Sequence, residues 1–179
     1  MHIEFSRRTW IYLIIGILIL RIVETITPNP KYAPVFYRYG LDEEKKNKLT
    51  NAIKFYERAI RANPDFAEPY YQLGLINKNW GQKSKLIEYF LIATNLKNDF
   101  DKAYDDLGLI FLEYGYYNRA LVAFAHAIFV NPLPIYYYHK ALCHMALGQE
   151  DEVTSILTIY LNDLSLVEQL KQKIKEKGW

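Results

Sequence analysis

The sequence predicts an all-α protein made of repeated helical hairpins, preceded by an apolar N-terminal segment and followed by a helix that covers the end of the array. Two stretches carry this prediction: residues 63–76, NPDFAEPYYQLGLI, and residues 98–110, NDFDKAYDDLGLI, share Leu-Gly-Leu-Ile at a distance of 34 residues. Apolar residues within them recur at i, i+3, i+4 and i+7, the spacing of one helix face. A period of this length accommodates two helices of about 13 residues with short turns.

The repeat is most complete in residues 101–134. Its large, small and helix-ending positions are Tyr104, Leu107, Gly108, Phe111, Gly115, Ala120, Phe124, Ala127 and Pro132. This pattern resembles the tetratricopeptide repeat. The resemblance implies a solenoid of helical hairpins in which each hairpin packs on its neighbours. Small residues are expected where helices approach closely, and the glycine after the first helix is expected to adopt a positive φ at the C-cap.

Four tetratricopeptide-like units are predicted between residues 33 and 162. The unit 67–100 keeps most of the signature. The unit 33–66 is degenerate, because the polar run 42–47 lacks the turn glycine and therefore predicts a short or frayed first helix. The unit 134–162 is atypical, since it begins one residue early and carries Tyr160 where a small residue is expected.

A cap helix is predicted at residues 163–179, because apolar residues follow one helical face there and lysines the other. It would cover the open end of the last hairpin. The fold class is therefore an all-α tetratricopeptide-repeat solenoid with an N-terminal transmembrane helix and a C-terminal cap helix.

The transmembrane helix is predicted within residues 1–26. Residues 10–20, WIYLIIGILIL, carry no charge, and the largely apolar window continues to Ile26, near the short limit for a membrane span. A cleaved signal peptide is disfavoured because no small-x-small cleavage site follows. A buried or interfacial helix is the other alternative, although the segment has no polar face.

The residues beside this anchor predict a spacer and the side of the membrane on which the repeats lie. Residues 27–34 contain three prolines and predict a stiff, extended spacer. Two arginines precede the anchor, whereas Lys31, Arg38, Lys45 and Lys46 follow it. Because the side richer in Lys and Arg usually stays in the cytoplasm, the repeats are predicted to face the cytoplasm or the plastid stroma.

Composition and motifs argue against several function classes. A net charge of +2 without a concentrated basic face argues against nucleic-acid binding. His139, Cys143 and His144 are close in sequence, but two ligands on one helix face make no zinc site. The sequence contains no phosphate-binding loop, GxSxG or HExxH motif. We therefore expect no enzyme activity, no cofactor and no bound metal.

The first helices of the repeats are predicted to line a partner-binding groove. The inward positions of the pattern are mostly aromatic or aliphatic. They are Tyr37, Leu41, Tyr71, Leu75, Asp105, Leu109, Leu112, Tyr138, Leu142 and Met145. Tyrosines are the better contact candidates, since they combine apolar area with a hydroxyl group. The alternative is that Leu75, Leu109 and Leu142 complete the core.

The architecture as a whole resembles the photosystem I assembly-related tetratricopeptide proteins of algal plastids and cyanobacteria. The shared features are a short apolar anchor, a proline spacer, three to four repeats and a composition rich in Ile, Lys, Asn and Tyr. The resemblance implies a non-catalytic protein at the thylakoid membrane that holds photosystem I subunits during assembly. The alternative is a bacterial membrane-anchored adaptor of envelope or secretion machinery. Tetratricopeptide domains that bind acidic chaperone C-termini carry Lys and Asn at the inward positions, so a carboxylate clamp is disfavoured.

Overall fold

The structure is a computed structural model that describes residue 15, residues 29–160 and residues 164–176. Over these residues the secondary structure is helical, with a short 3-10 helix at Pro30–Tyr32 followed by nine α-helices. The helices are α1 (Ala33–Lys45), α2 (Leu49–Ala62), α3 (Ala67–Asn79), α4 (Lys83–Leu96), α5 (Asp101–Glu113), α6 (Tyr117–Val130), α7 (Pro134–Ala146), α8 (Glu150–Ile159) and α9 (Leu164–Glu176). The chain divides into two compact units, residues 1–69 and 70–179.

The core of the first unit is the α1–α2 hairpin. Ala52, Tyr56 and Ala59 on α2 are fully buried. Gly40 on α1 lies against the Tyr56 ring, where an added Cβ would overlap a ring carbon. The glycine therefore lets the two helices approach closely enough to enclose the aromatic ring.

Helix α1 is not short or frayed, so the expectation drawn from its polar run is wrong. It has 13 residues, the same length as α3 and α5. The Tyr56 hydroxyl donates a hydrogen bond to Glu44 Oε2 at 2.5 Å, and the Asn51 amide donates one to Glu43 Oε2 at 3.0 Å. Both donors lie on α2, so the acidic end of α1 is held by its partner helix.

In the turn after α1, Asn47 stands where the other repeats have a glycine. Asn47 has a φ of 57°, while Gly81, Gly115 and Gly148 have φ values of 66°, 76° and 73° at the corresponding turns. Asparagine tolerates the left-handed region better than most residues, because its short polar side chain can hydrogen-bond locally. The degenerate repeat therefore keeps the turn conformation that glycine gives the other three.

The predicted extended spacer differs from the structure over its described part. Pro30–Tyr32 form the 3-10 helix, and Pro34 lies in the first turn of α1. Proline fits the first turn because the backbone N–H that it lacks has no partner there in any case. The Asn29 side chain accepts a hydrogen bond from Lys31 N at 3.0 Å and so caps the short helix.

The second unit has a main apolar core and a smaller C-terminal cluster. Phe90 on α4 and Phe124 on α6 are fully buried. Gly74 on α3 and Gly108 on α5 lie against these rings. The predicted small positions therefore lie where two helices of a hairpin meet around a phenylalanine.

The C-terminal end of this unit contains the last hairpin and α9. Leu170 of α9 is fully buried and belongs to a cluster with Tyr138, Val153 and Ile156. Helix α9 thus lies at the position predicted for the cap helix. Tyr160, which occupies an expected small position, follows the end of α8 and stacks on Tyr137 with ring centroids 4.7 Å apart.

The predicted membrane anchor lies outside the described residues, apart from residue 15. None of the helices that the structure does describe is long and apolar enough to cross a bilayer.

Candidate functional site

Side-chain bonds join the first helices of the second unit. The Tyr71 hydroxyl on α3 donates a hydrogen bond to Asp106 Oδ2 on α5 at 2.5 Å. His139 Nδ1 on α7 lies 2.7 Å from Asp105 Oδ1 on α5. Helices α3, α5 and α7 therefore lie side by side, as expected for a surface made by first helices.

Four of the predicted groove residues are buried in this surface. Tyr71, Asp105, Tyr138 and Met145 are only 4%, 7%, 6% and 2% exposed. The ring of Tyr71 packs with its centroid 4.9 Å from that of Phe100. Only a small part of each side chain is accessible to a partner, so these residues mainly hold the helices together.

The four predicted groove leucines of this unit are half-buried. We call them the leucine strip: Leu75, Leu109, Leu112 and Leu142. The first three pack against the main apolar core and Leu142 packs against the C-terminal cluster. Each therefore completes the core with one side and leaves the other side open, which combines the two alternatives weighed from the sequence.

The remaining two predicted residues, Tyr37 and Leu41, belong to the first unit, where both are half-buried. The Tyr37 ring centroid lies 5.3 Å from that of Phe66, in an edge-to-face arrangement. Like each leucine of the strip, Tyr37 has one part of its side chain in the core and the other part open.

The Asp105–His139 pair is a polar contact between two of the helices that carry the leucine strip. Burial raises the pKa of the Asp105 carboxyl above its ordinary value, although the hydrogen bond and charge interaction with His139 oppose the shift. A raised pKa means that burial disfavours the charged form of the carboxyl. This pair fastens α5 to α7 and offers no acid or base that is open to solvent.

The three residues considered for a metal or nucleophile site have separate partners. His144 Nδ1 lies 2.7 Å from Gln149 Oε1, and the Cys143 thiol donates to the Tyr117 carbonyl at 3.3 Å. Burial raises the pKa of Cys143 to about 11, which makes the thiolate scarce near neutral pH. Across the described part of the chain, no three His, Cys, Asp or Glu side chains are placed to hold a metal ion.

A cavity of about 840 Å³ lies between α4, α5 and α6. Sequence reasoning did not predict it. Leu107 and Phe111 of α5 line it, whereas Leu109 and Leu112 belong to the leucine strip. At about 100° per residue these two pairs lie on different faces of α5. The sequence signal that could have revealed the cavity is a pair of apolar residues on the neighbouring second helices, Leu91 and Val122. The structure shows that both side chains are exposed.

Family comparison agrees with these helical hairpins. A family model described as TPR repeat matches residues 40–81, and one described as Tetratricopeptide repeat matches residues 67–100. A search of curated proteins finds no matching sequence. Similarity to solved structures identifies the fold. A crystal structure of MamA superimposes with a TM-score of 0.65 at 20% identity, covering 87% of this chain and 86% of that chain.

The chain has the tetratricopeptide-repeat fold. The all-helical hairpin architecture predicted from the 34-residue period is thereby confirmed. Two structures whose descriptions name tetratricopeptide repeats are also similar. YrrB, described as a TPR protein with an unusual peptide-binding site, has a TM-score of 0.65 at 20% identity, with 78% of this chain and 74% of that chain covered. The first TPR of Spaghetti (RPAP3), bound to the HSP90 peptide SRMEEVD, has a TM-score of 0.62 at 17% identity, with 69% and 98% covered.

Proposed function

We propose that this tetratricopeptide protein is a non-catalytic scaffold that binds a protein partner through the leucine strip. The observation that carries the proposal is that four half-buried leucines lie on helices joined side by side. A partner helix or extended segment laid across the strip would remove the open side of each leucine from water. Structural neighbours whose descriptions name bound peptides or a peptide-binding site support this general role.

The chemistry of the strip favours an apolar partner segment. The neighbour from RPAP3 holds the acidic peptide SRMEEVD. In this chain the corresponding inward positions carry leucine and buried tyrosine, and the inward acid Asp105 is already paired with His139. The inward positions themselves carry no lysine or arginine, although Lys102 Nζ lies 5.9 Å from the centroid of the Tyr71 ring. The preferred client is therefore an aliphatic or aromatic stretch of a membrane-protein subunit.

The more specific proposal is assistance in photosystem I assembly at the plastid thylakoid membrane. It is supported by the architecture and composition of the sequence, in which an apolar segment in residues 1–26 precedes the repeats. A single membrane span would hold the repeats on the stromal side, next to photosystem I subunits that are not yet assembled. Tethering at the membrane would raise the effective concentration of such a client without any additional contact.

The test is purification of the tagged full-length chain from its native membrane, with identification of the proteins that accompany it. We expect photosystem I subunits to be enriched with the wild-type chain. Leu75→Gln combined with Leu109→Gln should reduce that enrichment by at least about tenfold, since hydrophobic contact is lost on two adjacent helices. Leu121→Gln is the matched control, because Leu121 is a half-buried leucine on the second helix α6.

Three outcomes distinguish the parts of the proposal. Equal losses in the double variant and in Leu121→Gln would mean that destabilisation, and not the strip, causes the effect. Undiminished enrichment in the double variant would place the partner surface elsewhere. Enrichment of envelope or secretion proteins in place of photosystem subunits would contradict the photosystem role and favour the bacterial adaptor.

Buried tyrosines are unsuitable for this test. Tyr71→Ala and Tyr138→Ala each remove a large side chain from the core, and such truncations typically cost about 3–5 kcal/mol. We therefore expect the variant that carries both substitutions to lose its fold, and with it any partner.

A further inference from the structure

The cavity between α4, α5 and α6 has an apolar floor and an open, apolar mouth. Leu107, Phe111 and Ala123 form the floor, and all three are buried. Leu91 and Val122 stand at the mouth, where they are 42% and 59% exposed. Its volume of about 840 Å³ lies within the range of roughly 300–1,000 Å³ that is typical of ligand sites. A bulky apolar side chain therefore fits this cavity.

Two cations contact the Tyr116 ring, and one of them, Arg119, lines the cavity. The Arg119 guanidinium lies 5.8 Å from the centroid of the Tyr116 ring and 5.9 Å from that of Phe111. Lys83 Nζ lies 5.0 Å from the same Tyr116 ring and 3.8 Å from the Tyr114 ring. Cation–π contacts therefore hold two cations around one aromatic side chain.

These cations have no carboxylate partner among the described residues. No ion pair within that part of the chain includes Arg119 or Lys83. The residues that line the cavity include no aspartate and no glutamate. Arg119 thus presents to the cavity a cation that has no counter-charge among the described residues, and this side of the cavity complements an anionic group. Lys83 does not line the cavity, but its contact with the Tyr116 ring adds positive charge nearby.

A smaller hollow of about 290 Å³ continues from this side of the cavity. It shares Asn118 and Arg119 with the larger cavity and extends to Gly115 and Leu147. Arg119 thus stands between two depressions. An extended chain advances about 3.3 Å per residue with successive side chains on opposite faces, which suits a segment that crosses both depressions.

We propose that this surface binds an extended peptide segment of a partner protein in which a bulky apolar side chain is followed two residues later by an acidic residue, so that both side chains lie on the same face of the segment. The apolar side chain enters the larger cavity. The carboxylate accepts charge-assisted hydrogen bonds from the Arg119 guanidinium, with Lys83 adding to the attraction. The main chain continues over the smaller hollow. This site is separate from the leucine strip and does not depend on the client proposed for that strip.

A fluorescein-labelled peptide of sequence Gly-Ser-Phe-Ser-Asp-Gly tests the proposal in solution with the purified full-length chain. Fluorescence anisotropy should show saturable binding that weakens as salt is added, because added ions screen the charge interaction. Replacing Phe by Ser or Asp by Asn in the peptide should each weaken binding by about tenfold or more. No saturable binding of the parent peptide, or equal binding of all three peptides, would overturn the proposal.

Two variants of the chain locate the site. Arg119→Gln removes the cation, and Val122→Glu places an acid at the exposed mouth, so each should weaken parent-peptide binding by about tenfold. Phe129→Glu is the matched control, because Phe129 is an exposed apolar residue of the same helix that does not line the cavity. It should bind the peptide like the wild type.

Melting midpoints of the variants separate lost binding from lost folding. Unchanged affinity in both Arg119→Gln and Val122→Glu would show that the peptide binds elsewhere, contrary to the proposal. Dodecanoate also combines an apolar chain with a carboxylate. Saturable binding of dodecanoate without binding of the peptide would identify a lipid site and would likewise overturn the proposal.

Discussion

Replacement of Gly108 by alanine tests the closer of the two contacts between a glycine and a buried phenylalanine in the second unit. A Cβ at this position would lie 2.5, 2.7 and 3.0 Å from three carbons of the Phe124 ring. The ring is fully buried in the core, so it cannot move aside into solvent. Gly74 gives a comparison at the same position of the preceding repeat, where the corresponding distances to Phe90 are 3.0, 3.1 and 3.4 Å.

The expected change in the free energy of unfolding is the difference between two effects. Overpacking a core typically costs about 1–3 kcal/mol, whereas alanine is favoured over glycine inside a helix by about 1 kcal/mol. Because the overlap at Gly108 is severe, we expect Gly108→Ala to lower the free energy of unfolding by about 1–2 kcal/mol. At Gly74 the ring has to shift by only a few tenths of an ångström, and Gly74→Ala should be close to neutral.

Urea unfolding followed by circular dichroism at 222 nm measures both variants. The Phe124→Leu background provides the control, since removing the ring removes the overlap. In that background Gly108→Ala should become neutral or stabilising by up to about 1 kcal/mol, which corresponds to a coupling of about 1–3 kcal/mol between the two sites. Equal stabilities for Gly108→Ala and Gly74→Ala, or the same loss with and without the ring, would refute this account of the hairpin contact.

Three further predictions concern other contacts. Asn47→Ala should lower the free energy of unfolding by about 1 kcal/mol, because alanine has no local hydrogen bond to support a positive φ. Asn47→Gly should leave it within about 0.5 kcal/mol of the wild type, and urea unfolding compares the two. Tyr56→Phe should cost about 1–2 kcal/mol through loss of the bond to Glu44, and an unchanged unfolding midpoint would contradict the role assigned to that bond. Cys143 should resist iodoacetamide in the native chain at pH 8 and react rapidly in urea, since its thiol is buried and its pKa lies near 11. Rapid native alkylation, detected by mass spectrometry, would show that the last hairpin opens.

Local chain properties explain why the repeats could be predicted. The 34-residue period, the helix periodicity and the turn glycines depend on residues close together in sequence. Gly81, Gly115 and Gly148 adopt positive φ values, as the position of each after a first helix predicts. The prediction of a weak first helix failed because its polar residues have partners on the neighbouring helix. A contact between residues 44 and 56 is not visible in the composition of residues 42–47.

The sequence by itself determined the hairpin architecture and the residues at which most helices end. Only the tertiary structure decided which side chains of the predicted groove are accessible. Tyr71 and Leu75 lie on the same helix, yet Tyr71 is buried and Leu75 keeps one side open. The physical reason is that burial depends on the distance and orientation of the adjacent hairpin, which helical periodicity does not specify. The cavity beside Arg119 also depends on tertiary structure, because it forms only where three helices that are separated by turns in the sequence pack together.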